Sequence, residues 1–272
     1  MIKSSVISIL RSLGFVLKQW ENTKILDKNY HVIKGSVRTR HDKDDAWLFA
    51  LGREHHLIFD IGCNIGQASL MLLYHNSVER IFLVDPNPAA LSIAAENLIQ
   101  NNFSMKAHFI NAFISEKCDD TVDFYTDASG AAGSRYRGFA KTAAKKNSHY
   151  PVKTLTIDYL SEFYKVVPGL IKVDVEGAER ELLKGAVKVA AKGQSIFFVE
   201  MHSGPELSIL ENTQGILDWC QNNSYKAWYL KSKSPLDLDA IKSRGRYHAL
   251  LLPAGMNFPD SLRTINENDF LK

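Results

Sequence analysis

The stretch that decides the fold is Leu57-Ile58-Phe59-Asp60-Ile61-Gly62-Cys63-Asn64-Ile65-Gly66-Gln67, and a further apolar run follows it at residues 68–73. An apolar segment that ends in an acid, turns through two glycines and an asparagine, and resumes with helical spacing predicts a strand, a tight loop and a helix. Glycine lets a backbone approach a ligand closely, and asparagine tolerates a left-handed conformation. We interpret the loop as a cradle for a nucleoside-type ligand; the alternative is a purely structural turn.

The acids beside this loop indicate which ligand it takes. A dinucleotide-binding loop reads G-x-G-x-x-G and holds a pyrophosphate, whereas this loop is Gly-x-x-x-Gly and Asp60 stands at the strand end. A carboxylate repels a pyrophosphate but attracts the ammonium and sulfonium of S-adenosylmethionine. A second apolar strand ends in Asp85, at a distance where an acid can accept hydrogen bonds from two ribose hydroxyls. The two acids favour S-adenosylmethionine over a nicotinamide cofactor.

The predicted cofactor-binding residues lie in the glycine loop and directly after the second and third strands. They are Asp60, Gly62, Cys63, Asn64, Gly66, Asp85, Pro86, Asn87, Asn111 and Ala112.

Composition limits the class of protein. With 272 residues the chain is long enough for one sizeable domain or two small ones. Its net charge of +3, from 33 basic and 30 acidic residues, is too slight to indicate a nucleic-acid partner. Cys63, Cys118 and Cys220 are odd in number and form no C-x-x-C pair, which predicts neither disulfides nor a zinc cluster and favours a reducing compartment. We expect a cytoplasmic protein without a membrane-spanning segment.

The N-terminal segment has its own pattern. Apolar residues recur every three or four positions over residues 2–20, with basic residues between them, which predicts an amphipathic helix. Such a helix would pack on the main domain or on a second subunit of a homo-oligomer, or it would lie on a membrane surface. Residues 30–40 predict a short hairpin or strand. We expect residues 1–45 to form an extension and residues 46–272 the main domain.

From residue 57 onward apolar runs alternate with helical patterns, which is typical of an α/β fold with a doubly wound, mostly parallel sheet. The predicted strands are 57–60, 80–84, 106–110, 170–173 and 195–199, with an antiparallel edge from 225–230 and 247–252. The predicted helices are 42–51, 67–74, 88–101, a segment through 182–190, and 207–222. Ligands of such sheets bind over the carboxyl ends of the strands.

A basic insertion interrupts the alternation. Strand-like runs at 121–125 and 152–157 flank a loop at 126–150 that begins with small residues. The basic residues of this loop are Arg135, Arg137, Lys141, Lys145 and Lys146. A loop of this length is usually functional or disordered. It is predicted to be either a lid that recognises a phosphate or carboxylate on the acceptor, or a solvated surface loop.

Polar side chains at the ends of the fourth and fifth strands are the predicted catalytic residues: Asp174, Glu176, Glu200 and His202. They should converge over one crevice, where carboxylates could chelate a cation or abstract a proton and His202 could act as a neutral base. Simpler roles remain open. Glu176 could stabilise a helix start, and His202 could cap the next helix or bond a carbonyl.

Several of these segments resemble the FkbM family of S-adenosylmethionine-dependent methyltransferases. They are residues 59–66, Asp85-Pro86-Asn87, Thr154-Leu155-Thr156-Ile157-Asp158, Lys172-Val173-Asp174-Val175-Glu176-Gly177-Ala178-Glu179 and Glu200-Met201-His202. The similarity covers residues 57–202, with a continuation to about 252. It implies a class I methyltransferase fold and methyl transfer to a hydroxyl, often on a sugar of a polysaccharide, glycolipid or natural product.

The expected mechanism is in-line displacement at the sulfonium methyl by a deprotonated hydroxyl. Asp174 or His202 would remove the proton, while Glu200 would orient His202 or share a Mg²⁺ ion with Asp174. An Asn/Asp-Pro-Pro-aromatic run, common in enzymes that methylate amino groups, is absent after strand four. The remaining alternatives are a non-sugar acceptor, a non-catalytic binding module on the same fold, and a nicotinamide oxidoreductase.

Overall fold

The structure is a computed structural model that describes residues 18–38, 40, 42–126 and 133–271. The predicted N-terminal helix at residues 2–20 lies outside the described residues except for its last three positions, where Trp20 begins a strand. The proposed boundary between an extension and a main domain at residue 45 stays a prediction.

The strands of the described residues are β1 (Trp20–Ile25), β2 (Lys28–Ile33), β3 (Leu57–Ile61), β4 (Arg80–Val84), β5 (Ala107–Ile110), β6 (Phe113–Ile114), β7 (Thr121–Tyr125), β8 (His149–Leu155), β9 (Leu170–Val173), β10 (Ile196–His202), β11 (Tyr225–Tyr229), β12 (Ser234–Pro235) and β13 (Arg246–Pro253). The helices are α1 (Asp45–Arg53), α2 (Gln67–Leu72), α3 (Pro88–Gln100), α4 (Lys141–Lys145), α5 (Ile157–Tyr164), α6 (Glu179–Lys184), α7 (Val187–Ala191), α8 (Ile209–Asn222), α9 (Leu238–Ile241) and α10 (Asp260–Arg263).

The central sheet has the strand order β12-β11-β13-β10-β9-β3-β4-β5. Strands β10, β9, β3, β4 and β5 run parallel to one another, and β13 runs antiparallel to both of its neighbours, β10 and β11. The chain reverses its direction of travel across the sheet after β5, so the switch point lies between β3 and β9, where ligands of doubly wound sheets bind. This topology confirms the predicted class I methyltransferase-like sheet with an antiparallel edge.

Both faces of the sheet are buried, as expected for a parallel sheet covered by helices. Side chains alternate between the faces, so Phe59 packs with Phe82 in one core cluster while its neighbour Ile58 packs with Ile81 in the other. All four side chains are fully buried. The strands are therefore continuous apolar runs, and a charged residue within one of them needs a buried partner.

The N-terminal hairpin begins ten residues earlier than predicted. Strands β1 and β2 pair antiparallel, and β2 is attached to α3 because the amides of Ile33 and His31 donate hydrogen bonds to the side chains of Asn97 and Asn101, at 2.8 and 2.9 Å. The asparagine partners lie about 70 residues away in the chain. Local alternation in the sequence could not reveal this contact.

Three predicted boundaries were wrong for identifiable reasons. The strand predicted at 152–157 ends at Leu155, because Thr156 caps α5 by accepting a hydrogen bond from the Tyr159 amide. The helix predicted through 182–190 breaks at Gly185, where a Cβ would lie 2.2 Å from the Ser115 carbonyl oxygen. Strand β10 continues through His202, beyond the predicted end at residue 199, because it pairs with β13 to that point.

The basic insertion is carried on a hairpin whose strands lie at the two strand-like runs of the sequence. Strands β7 and β8 pair antiparallel on either side of it, and the described part includes the short helix α4, which the sequence analysis missed. Residues 127–132 of the loop lie outside the described part of the chain. Among the helices of the described residues, none has the length and apolar character needed to span a membrane.

Candidate active site

Two adjoining cavities formed by the described residues open over the carboxyl ends of the central strands. We call them the inner cavity and the polar cleft. Together with the open solvent at their mouths, the inner cavity has about 560 Å³ of empty space and the polar cleft about 840 Å³. Four residues line both cavities: Gly62, Asn64, Asp174 and Glu176. The end of β9 is therefore the boundary at which the contents of the two cavities would meet.

The inner cavity combines an apolar wall with three carboxylates, of which those of Asp174 and Glu176 are shared with the polar cleft. Its apolar side chains are Ile61, Val84, Pro86, Ala112, Phe113, Ile114, Phe124 and Val175. Asp85, at the end of β4, lines the same cavity. An apolar slot with a carboxylate at one side fits a planar base joined to a ribose.

The carboxylate of Asp85 is held in place by the backbone. Its two oxygens accept hydrogen bonds from the amides of Asn64 (2.7 Å) and Asn87 (2.8 Å). Each carboxylate oxygen has a second lone pair, so both can still accept from ribose hydroxyls. Burial raises the pKa of Asp85 to about 6, against the effect of these two hydrogen bonds. Asp85 is thus an oriented acceptor that is ionised at neutral pH.

The glycine loop has the backbone conformation that its sequence predicts. Gly62, Asn64 and Gly66 all have positive φ, at 75°, 48° and 79°. A Cβ on Gly62 would lie 1.8 Å from the carbonyl oxygen of Asp174, and a Cβ on Gly66 would lie 2.7 Å from the Cβ of Ala94. The glycines therefore allow close packing of the loop against β9 and α3, and Gly62 also lines both cavities; the close approach of the loop to a ligand stays a prediction.

A buried lysine on β9 holds the glycine loop in place. Lys172 Nζ lies 3.1 Å from Asp60 Oδ1 and 3.6 Å from Asp174 Oδ2, and it donates a hydrogen bond to the Gly62 carbonyl at 3.2 Å. Burial alone would lower the pKa of Lys172, but the two carboxylates raise it, so the ammonium stays charged. The second oxygen of Asp60 accepts a 2.6 Å hydrogen bond from Ser69. Lys172 thus joins the glycine loop to the strand that carries Asp174.

The polar cleft is rich in charged groups. The charged side chains that line it are Asp42, Asp44, Asp45, Asp174, Glu176, Glu200, Arg38, Lys172 and Arg246. Many of them pair with each other: Arg38 contacts Asp42 and lies 3.1 Å from Asp45, and Arg246 lies 2.8 Å from Glu200. Six carboxylates face three cations, so the cleft favours hydroxyl donors or a cation over an anionic ligand.

His202 lies behind the polar cleft among four carboxylates. Its Nδ1 is 2.9 Å from Glu179 Oε1, and its Nε2 is 3.8 Å from Asp174, 3.6 Å from Glu176 and 3.7 Å from Glu200. Only the Glu179 contact is a hydrogen bond. Glu179 is fully buried and also accepts from Asn212 (2.8 Å) and the Gly177 amide (3.1 Å). Glu179 therefore fixes the orientation of the imidazole.

These neighbours decide the protonation of the cluster. Burial alone would lower the pKa of His202. The carboxylates of Glu179, Asp174 and Glu176 outweigh this effect and raise the pKa to about 10. Burial raises the pKa of Glu176 to about 6 and raises that of Asp174 as well. Burial alone would raise the pKa of Glu200, but His248, His202 and Arg246 lower it to about 2. His202 thus carries a proton at neutral pH, and the neutral base predicted from the sequence is not supported.

The structure brings most of the predicted site residues together. Gly62, Asn64, Asp85, Pro86, Asn87, Ala112, Asp174 and Glu176 line the inner cavity, while Cys63 and Glu200 line the polar cleft. Asp60, Gly66, Asn111 and His202 line neither. Asp60 is fully buried against Lys172 and Ser69, so it does not reach a bound cation as predicted. Asn111 supports the turn after β4 by donating to the carbonyls of Asp85 and Pro86.

Several residues of the site were missed. Lys172 had a signal in the sequence, because a charged residue inside a buried strand requires a partner. His248 and Arg246, on the edge strand β13, are brought beside Glu200 by strand pairing, in which Glu200 is directly opposite His248. Asp44 lies at the start of α1, about 150 residues before Glu200 in the chain. No local pattern could have joined these three residues to the fifth strand.

The basic insertion closes one side of the site. Ser134 Oγ donates a 2.8 Å hydrogen bond to the Glu176 carbonyl, and Arg135 and Tyr136 both bind Glu181, at 2.9 and 2.7 Å. Phe139 packs so closely on the loop after β9 that a Cβ on Gly177 would lie 2.8 Å from its ring. The described part of the insertion is therefore docked on the strand ends, in the position that a lid would occupy.

The chain matches several solved structures at low sequence identity. The FkbM methyltransferase of Methylobacillus flagellatus KT has 14% identity and a TM-score of 0.46; the match covers 72% of this chain and 43% of that one, so the chain spans less than half of its length. TYW2 of M. jannaschii, in complex with AdoMet, has 9% identity and a TM-score of 0.44 over 87% and 86% of the two chains. An O-methyltransferase of Bacillus cereus in complex with SAH has 11% identity and a TM-score of 0.42 over 91% and 87%.

Comparison of the sequence with protein families is more informative. No curated protein matches the chain. The Methyltransferase FkbM domain matches residues 60–227, which is more than half of the chain and includes the glycine loop, Asp85 and the ends of β9 and β10. The chain therefore belongs to the FkbM family of S-adenosylmethionine-dependent methyltransferases, and the family resemblance and enzyme class predicted from the sequence are confirmed.

Proposed function

We propose that the protein transfers a methyl group from S-adenosylmethionine to a hydroxyl group of a sugar, in a polysaccharide, glycolipid or natural product. The observation that carries the proposal is the meeting of the two cavities at Asp174 and Glu176. One cavity has apolar walls and, in Asp85, a carboxylate suited to the ribose of a nucleoside, and the other is lined by charged and polar groups. A methyl donor in the first and a polyhydroxyl acceptor in the second would face each other at these two carboxylates.

The donor would lie in the inner cavity with its ribose hydroxyls on Asp85. The adenine would contact the apolar wall that Phe113 and Phe124 provide, and the methionyl end would pass the glycine loop toward the polar cleft. Asp174 and Glu176 would face its ammonium and sulfonium charges there. This arrangement assigns to Asp174 and Glu176 the electrostatic role that the sequence analysis gave to Asp60.

The acceptor would lie in the polar cleft. Carboxylates and guanidinium groups are hydrogen-bond partners for sugar hydroxyls, and six carboxylates line this cleft. A flat aromatic acceptor would find few apolar contacts, since Leu48, Ile65 and Ala68 provide most of the apolar lining. The lining therefore supports a sugar over a non-sugar aromatic acceptor.

Asp174 is the group best placed to accept the proton of the acceptor hydroxyl. It lines both cavities, whereas His202 lines neither and is held protonated by its carboxylate neighbours, which raise its pKa to about 10. His202 and Glu179 would act as positioning residues for the carboxylates at the strand ends. Ligand atoms of Asp174, Glu200 and His202 lie within 4.8 Å of one another, so Asp174 and Glu200 are also suitably placed to hold Mg²⁺, which would lower the pKa of a bound hydroxyl.

Methyl transfer can be tested with labelled S-adenosylmethionine and a panel of acceptors that includes glycolipids, nucleotide sugars, oligosaccharides and phenols. We expect an O-methylated sugar, with a rate reduced by about 10²- to 10⁴-fold in Asp174→Asn. Asp123→Asn, which changes an exposed aspartate on β7, is the matched control. Exclusive labelling of phenols or amines would contradict the proposed acceptor. A rate that is unchanged by chelators would exclude the Mg²⁺ ion.

A non-catalytic binding module remains the alternative from a different class. It predicts that the protein binds S-adenosylmethionine without turnover on any acceptor. Calorimetry with the donor, run beside the labelled-methyl assay on the same preparation, separates the two functions. A parallel titration with a nicotinamide cofactor tests the hypothesis of an oxidoreductase. We expect the protein not to bind this cofactor.

A further inference from the structure

A second cluster of ligand-type side chains lies on the other side of Glu200 from His202. It consists of Asp44 at the start of α1, Glu200 on β10 and His248 on β13. Because Glu200 and His248 are directly opposite each other in the antiparallel pair, their side chains point to the same face of the sheet. Neither Asp44 nor His248 belongs to a motif of the sequence, and neither takes part in the proposed methyl transfer.

The imidazole of His248 is buried and incompletely satisfied. Only 4% of the residue is exposed, and Nε2 makes no hydrogen bond to the described residues. The carboxylate oxygens that it faces are Asp44 Oδ2 at 3.5 Å and Glu200 Oε2 at 3.7 Å, and both distances exceed the usual length of an N–H···O hydrogen bond. A buried polar nitrogen that faces two carboxylates across such gaps indicates that something belongs between them.

The spacing of the three side chains suits a metal ion. The two measured gaps are 3.5 and 3.7 Å, and one ligand atom of each residue lies within 4.8 Å of the others. The three ligand atoms, one from each residue, form a triangle. An ion at its centre would lie about 2.1 to 2.4 Å from each ligand atom, which matches metal distances to imidazole and carboxylate ligands.

The charge of the surroundings also favours a cation. The polar cleft is lined by six carboxylates and three cationic side chains, so its lining carries an excess of negative charge. Arg246 occupies Oε1 of Glu200, but Oε2 faces His248. The guanidinium of Arg246 is 45% exposed and therefore has room to move if an ion binds.

We propose that Asp44, Glu200 and His248 form a binding site for a first-row divalent transition-metal ion such as Mn²⁺ or Zn²⁺. A set of one imidazole and two carboxylates suits these ions better than Mg²⁺, which prefers oxygen ligands and bound water. Asp44 and Glu200 line the polar cleft, so the open coordination positions of the ion would face the acceptor. Its role in binding acceptor oxygens rests on the proposed function, whereas the metal site itself does not.

Direct metal binding tests the site without donor or acceptor. Chelator-treated protein is titrated with Mn²⁺ and followed by electron paramagnetic resonance, and with Zn²⁺ and followed by calorimetry. We expect His248→Gln and Asp44→Asn each to weaken binding by at least about tenfold. The control His56→Gln changes a histidine that is 70% exposed and should bind the metal like the wild type. Asp44→Asn replaces an acid without removing volume, so it remains informative if His248→Gln folds poorly.

A comparison with His202→Gln separates this site from the neighbouring cluster that shares Glu200. The proposal predicts that His202→Gln retains Mn²⁺ binding. Loss of binding in His202→Gln together with wild-type binding in His248→Gln would place the ion at the other cluster and overturn the inference. Absence of Mn²⁺ and Zn²⁺ binding to the wild type would do the same. Calorimetry with S-adenosylmethionine on the same samples tests donor binding separately, so failure of the metal site is distinct from failure of the proposed function.

Discussion

Replacement of Lys172 by methionine should destabilise the protein strongly. The lysine is 6% exposed, and its partner Asp60 is fully buried, so Lys172→Met leaves a carboxylate without its counter-charge in the core. Breaking a buried pair in this way costs about 3–5 kcal/mol. The hydrogen bond from Ser69 to Asp60 remains, which favours the lower end of this range. A typical domain is stable by only about 5–15 kcal/mol, so the loss should be large in urea unfolding at pH 7.

A second substitution distinguishes loss of charge balance from loss of packing. The double variant Lys172→Met/Asp60→Asn also removes the charge of the fully buried Asp60 and leaves only the partly exposed Asp174 without this partner, so most of the stability should return. The control Lys188→Met removes an exposed lysine that pairs with Glu162 at the surface, and we expect no measurable change. A loss below about 1 kcal/mol in Lys172→Met, or no recovery in the double variant, would refute the role of this ion pair.

Three further predictions concern the cofactor and the acceptor. Gly62→Ala should prevent donor binding and lower the melting temperature, because its Cβ would lie 1.8 Å from the Asp174 carbonyl oxygen; a variant that binds the donor normally would contradict the loop geometry. Asp85→Asn should weaken S-adenosylmethionine binding about tenfold or more in calorimetry, since an ionised acceptor is lost. Burial raises the pKa of Asp85 to about 6, so its carboxylate is ionised above that pH. The affinity of the wild type for S-adenosylmethionine should therefore fall as the pH drops below 6. An affinity that does not depend on pH would argue against Asp85 as the ribose acceptor. Arg246→Met should raise the KM for the acceptor more than that for the donor in steady-state kinetics, because Arg246 lines only the polar cleft; equal effects on both would contradict separate cavities.

The central part of the fold was predictable because its signals are local. The strand at Arg80–Val84 and the strand at Leu170–Val173 were predicted with their observed bounds, since each is a short apolar run with a clear end. The helix Pro88–Gln100 was predicted to within one residue, because Asn87 and Pro88 form an unambiguous helix start and the Asn87 side chain accepts from two amides.

The electrostatics of the site were less predictable because they depend on tertiary contacts. Asp60 looked like a ligand for a cation in the sequence, but Lys172 neutralises it from a strand more than 100 residues later. His202 looked like a neutral base, but Glu179 and two further carboxylates hold a proton on it. The residue types at a strand end can be read from the sequence, whereas their partners follow from which strands lie side by side.

The most direct test of the account is a crystal structure of the protein with S-adenosylmethionine. We predict that the ribose hydroxyls bind Asp85, that the base contacts Phe113 and Phe124, and that the sulfonium methyl points past Asp174 into the polar cleft. A donor bound outside the inner cavity, or one whose methyl group is separated from the polar cleft by protein, would contradict the account.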